Sequence, residues 1–520
     1  MGLLDLLKKG ARIMTGNKEY RDVFELQGVP AYREFYNFTI LPAKSIYRGL
    51  YTPWHVIPAP TIGDKDAKRT LYRMNMGKAV CAELAGLIWS EGVKIDISDE
   101  TLQAFVLDVL EHNNFHTKMQ EHIEQAAALG GGALKEYVKF KREGGQNVPG
   151  TGKIVIDYAM ADQFVPTAWD NAGVTEAFFV DRKAKDGYYY TRIEWHSWNG
   201  DTYVVKNDLY KAAMKNASGE NQDILGYQYP LASIYPGLQP YTEIDGLEKS
   251  LFAYYRTPVA NNVDDNSPLG ISIYGNALDT LHALDVCFDS FVREFRLGKK
   301  RIIVPATAVR VVVDPASGAT RRYFDPNDET YEALNTDDPD KLKVQDNSIE
   351  LRVEEHVAAI NAFLSILCLQ VGFSAGTFTF DLHDGLKTAT EVISENSKTY
   401  KTIRNFQQQI IPAIKRICEN IIALGALYEM EYDGKSIAAL ANDYEITVSM
   451  EDAVLEDTNT KYDKAIKLVG AGLISKRTAL TDPAYGLCMT EETAEAELAQ
   501  IAKESPVNAF VVDRFSTTGE

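Results

Sequence analysis

Apolar and polar positions change period several times along this chain, and each change marks an element. Between Thr70 and Glu91, Met76, Val80, Leu84, Leu87 and Ile88 recur three or four apart, the spacing of one helix face, and Gly92 ends the run. Trp89 is expected on the packed side of that helix. A second helix is predicted from Ser98 or Asp99, a suitable N-cap, to Leu129, with a break near Asn113–Asn114 and a stop at Gly130–Gly132. The period then becomes two. Ile154/Ile156/Tyr158, Phe178/Val180, Tyr189/Thr191/Ile193/Trp195 and Tyr203/Val205 alternate with polar neighbours, which predicts an antiparallel meander with one wet face. Asp186-Gly187 and Asn199-Gly200 read as its hairpin turns.

Helical spacing returns from Ile271 to about Leu297. Leu278, Leu281, Phe288, Phe291, Val292 and Phe295 form an apolar stripe, and Asp279, His282, Asp285, Asp289, Arg293 and Arg296 a polar one, over a length on the order of 40 Å. A compact insertion follows at 298–353, with a strand-like run Ile302–Val313, a turn at Asp314–Gly318 and a return strand Thr320–Phe324, then an acidic loop. Helices are expected from about Glu354 to Gly372 and from the capping box Thr388-Ala389-Thr390-Glu391 to about Glu429. Pro412 inside the latter predicts a kink. A strand at Glu445–Met450 and two or three short helices through Lys503 complete the chain. Residues 20–65, rich in aromatics and broken by Pro30, Pro42, Pro53, Pro58 and Pro60, read as irregular packing with short strands.

Length and charge bound the function. At roughly 100–200 residues per domain, 520 residues hold about three or four domains' worth of chain. Hydrophobic content of 45% and charged content of 24% are globular values. With 54 Lys+Arg against 73 Asp+Glu the net charge is −19, a poor balance for gripping nucleic acid over the whole surface. Five scattered cysteines (Cys81, Cys287, Cys368, Cys418, Cys488) offer neither a zinc knuckle nor a disulfide framework and are expected as buried thiols. The apolar run at Gly2–Lys9 is too short and interrupted for a signal peptide, and Leu6 stands where a myristoylation signal needs Ser or Thr. The stretch Ala358–Val371 falls short of a membrane span. A reducing cytoplasm and no membrane anchor are the expectation.

Motif chemistry is sparse. Gly372-Phe373-Ser374-Ala375-Gly376 matches the nucleophile elbow, which would make Ser374 the centre of a serine hydrolase. However, Thr377–Phe380 follows where a helix is needed, and the one downstream histidine, His383, lies nine residues on. His112 and His116 have helical i, i+4 spacing, with Glu111 and His122 near, but lack the zincin glutamate; a solvated helix face is the expected reading. Asp264-Asp265-Asn266 and Asp337–Asp340 lack calcium-loop spacing. No Walker motif is present. No catalytic residue, metal or cofactor is expected.

What remains is an order of elements: two helices flanking a small β insertion, a loop, then a long helix. With it come four strings, Ala85–Glu91 within Asn75–Glu91, Ala128–Leu134, Lys387–Ser397, and Lys467–Lys476 ahead of the Glu-rich Thr490–Glu504. This combination, spanning about residues 45–505, resembles the portal proteins of tailed bacteriophages, particularly the siphovirus-type portals of Gram-positive hosts. The insertion and the loop depart from the family.

The resemblance implies an α+β, mainly helical portal fold. Residues 1–270 and 388–450 would form the wing, which carries the β meander. Helices 271–297 and 354–372 would form the stem, 298–353 the clip, 373–387 the tunnel loop and 451–520 the crown. It also implies a ring, usually of twelve subunits, at one capsid vertex, which passes double-stranded DNA without sequence specificity. Implied partners are the terminase large subunit, a head–tail adaptor, and scaffold and major capsid proteins; assembly would occur in the host cytoplasm. Another head–tail structural or adaptor protein is the alternative. Within that frame Asp279, Asp285 and Asp289 are candidates for an acidic stem lining, or for an intersubunit or solvent face. Arg293, Arg296, Lys299, Lys300 and Arg301 form a stem–clip basic cluster that pairs with a neighbour's acids or touches phosphate. Phe378, Phe380, Asp381, His383, Asp384 and Lys387 are the loop residues that face DNA or pack on a neighbour.

Overall fold

The computed structural model describes residues 36–49, 55–60, 64–90, 92–144, 146–148, 150–215, 225–264, 266–298, 350–379, 397–450, 458–482 and 491–504. It adds residues 485 and 489 and four short backbone strands between 301 and 347. The chain divides into a larger unit, residues 1–384 with 401–450, and a smaller one, residues 385–400 with 451–520.

The larger unit starts with α1 (Leu41–Tyr47), the β1 (Val56–Pro58) and β2 (Lys68–Thr70) hairpin, and α2 (Met76–Trp89). Strand β2 occupies the residues where the apolar spacing began, so α2 starts six residues later than Thr70, behind Asn75 at φ +56°. Strand β3 (Lys94–Ile97) leads to α3 (Glu100–His112) and α4 (Phe115–Leu129). The Asp99 carboxylate accepts the Thr101 and Leu102 N–H groups, both at 2.9 Å, satisfying two donors that the helix itself leaves free. The expected break falls at Asn114, whose φ of +51° ends one helix before the next. Trp89 is buried on the packed side of α2, its indole N–H directed at His116.

Two antiparallel sheets follow. Strands β4 (Gly131–Lys139), β5 (Lys153–Met160), β6 (Phe164–Asp170), β7 (Gly173–Lys185), β8 (Tyr188–Asn199), β9 (Thr202–Ala213), β10 (Tyr227–Gln228), β11 (Tyr241–Ile244) and β12 (Phe252–Arg256) are introduced in chain order. One sheet runs β12-β4-β5; the other runs β10-β9-β8-β7-β6, with β11 also on β9. The predicted meander is present from Phe178 through Val205, but its first expected strand, Ile154/Ile156/Tyr158, lies in β5 of the smaller sheet, paired with β4. Asp186 and Gly187, at φ +52° and +78°, turn β7 into β8 as expected. The next turn is shifted by one residue: Asn199 pairs with Thr202, so Gly200-Asp201 makes the bend and Asn199 belongs to the strand. The facing sides of the sheets meet through Phe164, Phe179 and Phe252, with ring centroids 5.4–5.8 Å apart.

Strand β4 was not legible as a strand. Its charged pair Lys135-Glu136 is buried, one residue on each face. Lys135 bonds Glu194, which Arg192 also approaches at 3.1 Å. Glu136 accepts from Asn420 at 2.9 Å. Burial would raise the Glu194 carboxyl, but Lys135, His196 and Arg192 hold it well below the usual range.

Helices α5 (Leu278–Leu297) and α6 (Val353–Val371), and α7 (Ser397–Leu427) from residue 401 onward, complete the larger unit, with β13 (Ile446–Ser449) paired to β3. Helix α5 begins later than Ile271, because Ile271–Tyr274 is buried against α4 and Ile273 N–H donates to the Ala127 carbonyl. Helix α7 contains Pro412, which has no N–H for the Gln408 carbonyl. In the insertion, Arg301–Ile303 pairs with Gln345–Asn347 and Arg310–Val313 with Thr320–Tyr323, so these strands find partners within the chain. The 314–318 turn, the acidic loop and the 388–391 capping box lie outside the described residues.

The smaller unit holds α8 (Thr458–Gly470), α9 (Lys476–Thr481) and α10 (Glu491–Glu504). Ser475 caps α9 by accepting the Thr478 N–H, and Ala479 and Ala494 are buried in this unit. Cys81, Cys368 and Cys418 are buried free thiols and Cys287 is half-buried; Cys488 is outside the described residues. Among the described residues, no helix is long and apolar enough to cross a membrane.

Candidate functional site

Helices α5 and α6 pack side by side along much of their length. The seam is built from Leu281 and Leu284 of α5 and Ile360, Leu364, Leu367 and Val371 of α6, all buried. Lower down, the Phe291 ring lies 5.2 Å from Phe295 and 5.6 Å from His356. Both helices end where backbone geometry demands. Gly298 follows α5, and Gly372 at φ +85° closes α6 by returning its N–H to the Cys368 carbonyl. Across the end nearest the insertion, Arg352 forks onto Glu294 at 2.9 and 3.1 Å, and those bonds draw the Glu294 carboxyl down to about 2.

The predicted acidic stripe on α5 is two features, not one. At about 100° of rotation per residue, Asp285 and Asp289 lie about 40° apart, whereas Asp279 lies about 120° from Asp285. Asp279 is exposed. The other two face the segment 55–74. Asp289, only 3% exposed, takes both guanidinium nitrogens of Arg69 at 2.7 and 2.8 Å and the Tyr72 N–H at 3.2 Å. Burial pushes its carboxyl up, but the Arg69 bonds and the Tyr72 N–H keep it below its ordinary value. Asp285 takes His55 at 2.8 Å and the Met74 N–H at 2.9 Å. These two carboxylates therefore clamp the β1–β2 hairpin to α5, and each is already neutralised or bonded within one protomer.

Of the basic cluster, Arg293 is half-buried and Arg296 exposed at the same end of the pair; Lys299 and Lys300 are outside the described residues, and Arg301 is described only as backbone. Of the loop residues, Phe378 is half-buried with its ring 5.5 Å from Phe373, while Phe380, Asp381, His383, Asp384 and Lys387 lie outside the described residues. Ser374 is 3% exposed and follows a helix, the reverse of the strand–turn–helix that an elbow needs. The three histidines of the 112–122 stretch have separate surroundings. His112 is exposed beside Asp108, His116 meets Trp89, and His122 is buried. Expecting that whole stretch to be solvated was incorrect for His122.

The outward side of α6 was missed by sequence reasoning. Ala358, Ala359, Ala362, Ile366 and Leu369 are all exposed, Ile366 at 45% and Leu369 at 67%. Their spacing of three and four residues places them on one stripe opposite the seam. The same apolar run, Ala358–Val371, is the one whose length falls short of a membrane span. Helix α5 exposes Val286 (41%) and Leu297 (53%) as well. At the Arg352 end, Glu354 and Glu355 on α6 and Arg296 on α5 are exposed, so charge of both signs sits beside an uncovered apolar stripe. The small alanines of this stripe leave room beside it for a helix to approach closely.

Residues 51–506 match the family of phage portal proteins described as SPP1 Gp6-like, most of the chain. No curated protein matches the sequence. Among solved structures, a chain from the virion of a native gene transfer agent particle is similar at 12% identity; the match covers 80% of this chain and 90% of that one, with a TM-score of 0.34.

Proposed function

The chain belongs to the SPP1 Gp6-like phage portal protein family, and from that premise we propose that α5 and α6 carry the contact that closes its ring. Portal proteins are structural components of the virion, and the family implies an oligomeric ring at the capsid vertex. The ring has twelve copies in this reading, assembles in the host cytoplasm and passes double-stranded DNA. It docks the terminase large subunit, a head–tail adaptor, and scaffold and capsid proteins. Helices α5 and α6 are the stem, 298–353 the clip, 373–387 the tunnel loop, 451–520 the crown, and the remainder the wing, bent at Pro412.

One observation carries the reading: the uncovered stripe Ala358, Ala359, Ala362, Ile366 and Leu369. Water-exposed leucine and isoleucine on a helix face cost about 1.5–3 kcal/mol each relative to burial, a cost that a neighbouring protomer removes. A head-to-tail contact uses two different surfaces and closes when the rotation per subunit fits. The neighbour's α5, with Val286 and Leu297, supplies the second surface, and its Arg293 and Arg296 meet Glu354 and Glu355. Asp279 is then the stem carboxylate left to face the bore, multiplied by ring symmetry, where it repels phosphate. Phe378, Phe380, Asp381, His383, Asp384 and Lys387 line the passage beside it.

Replacing Leu369 and Ala362 by arginine tests the contact. Rings should be lost in negative-stain images and the protein should size as a monomer, with unchanged circular dichroism. Rings of normal diameter from this variant would sink the assignment.

A further inference from the structure

Away from the helix pair, a groove of about 570 Å³ opens between α3, the start of β5 and the turn that follows α7. That volume is in the range of built binding pockets. Its floor is apolar, made by Phe105, Val109, Phe140, Ile154 and Met430. Two edge-on ring pairs brace the walls, Phe105 with Tyr432 at 5.8 Å and Phe140 with Tyr428 at 5.5 Å. The rim is acidic. Asp108, Glu429 and Glu431 line it against a single lysine, Lys153, while His112 sits 3.4 Å from Asp108. Glu429 holds a left-handed backbone, φ +48°, because it closes α7: its N–H donates to the Ala426 carbonyl and the Met430 N–H to the Gly425 carbonyl, which fixes the rim at this point.

The groove asks for an apolar segment with positive charge beside it. Residues 1–14 of this chain have that composition: Leu3, Leu4, Leu6 and Leu7, then Lys8, Lys9 and Arg12, against one acid, Asp5. The described chain begins at Tyr36, so 35 residues precede it. At about 3.3 Å per extended residue that length reaches on the order of 100 Å, enough for the groove of the same protomer or of a neighbour. We propose that the leucines of residues 3–7 fill this groove and that Lys8, Lys9 and Arg12 pair with Asp108, Glu429 and Glu431. The inference does not depend on which helices close the ring.

The test uses the full chain with the photoreactive residue p-benzoylphenylalanine in place of Leu4. On irradiation, cross-links are expected in the peptides containing Phe105 or Tyr428–Tyr432, of either protomer. Combining it with Glu429→Lys and Glu431→Lys should lower that yield at least fivefold while circular dichroism stays unchanged. Carbodiimide labelling of Glu429 and Glu431 should be slow in the native chain and fast in a Lys8→Glu/Lys9→Glu/Arg12→Glu variant. Cross-links to other surfaces, a yield indifferent to the charge reversals, or carboxylates equally labelled in both chains would overturn the proposal and assign the groove to a different partner.

Discussion

Acidification should unfasten the larger unit at one histidine. His122 is 2% exposed, between the Tyr158 and Tyr255 rings with centroids 5.5 and 5.6 Å away. Its Nε2–H donates to the Ala159 carbonyl at 3.0 Å, and Nδ1 accepts the Tyr255 hydroxyl at 2.9 Å. Both bonds suit the neutral ring; a second proton would face a hydroxyl that is already donating. A Cβ on Gly132 would lie 2.5 Å from the ring, so no space is left for it to turn away. Burial lowers the pKa from 6.5 to about 4, the Ala159 bond opposing only in part. A depressed folded value means that stability is complete above pH 6.5 and drains as the pH falls toward 4. The full loss is about 3 kcal/mol, and about 2 kcal/mol of it falls between pH 7.5 and 5. His122→Gln keeps the donor to Ala159 and does not titrate. Denaturant unfolding followed by tryptophan fluorescence suits the measurement, since all five tryptophans are in the larger unit. The wild-type chain should lose about 2 kcal/mol more than the variant over that interval. Equal losses would refute the reasoning.

Asp289→Ala leaves Arg69 without its fork and the Tyr72 N–H without an acceptor. With Arg69 itself 28% exposed, the cost should be about 2–3 kcal/mol, read by thermal melting, and proteases should cut first within 55–74. Glu136, 2% exposed, has its carboxyl raised well above the usual value by burial, with Asn420 and Arg416 opposing. A raised value means that stability falls as the pH climbs from 4.5 toward it. Glu136→Gln should therefore gain on the wild type at pH 8 relative to pH 5 in paired melts, and a constant difference would count against it.

Local chemistry was readable where it acts alone. The Asp99 cap, the Asn113–Asn114 break, the Asp186-Gly187 turn and the alternation of the meander each depend on neighbours in sequence. Strand β4 was hidden because Lys135 and Glu136 look solvated until Glu194 and Asn420, each more than fifty residues away, supply partners. The α5 stripe was mis-sorted for a simpler reason. Six residues separate Asp279 from Asp285, which is not a whole number of turns, and only Arg69 and His55 reveal which side is covered. The α6 stripe was in plain view as a spacing, but the role proposed for it depends on a second protomer, which one chain's sequence does not contain.

Asp285 and Asp289 have a mechanical consequence. Two bonds one helical turn apart, made to a stretch of chain more than two hundred residues earlier, act as a key in a shaft. Helix α5 cannot spin about its own axis without shearing both, but it can tilt or shift with the hairpin as one piece. Force applied along the helix is thereby handed to the 55–74 segment through side chains, independently of the covalent connection between them.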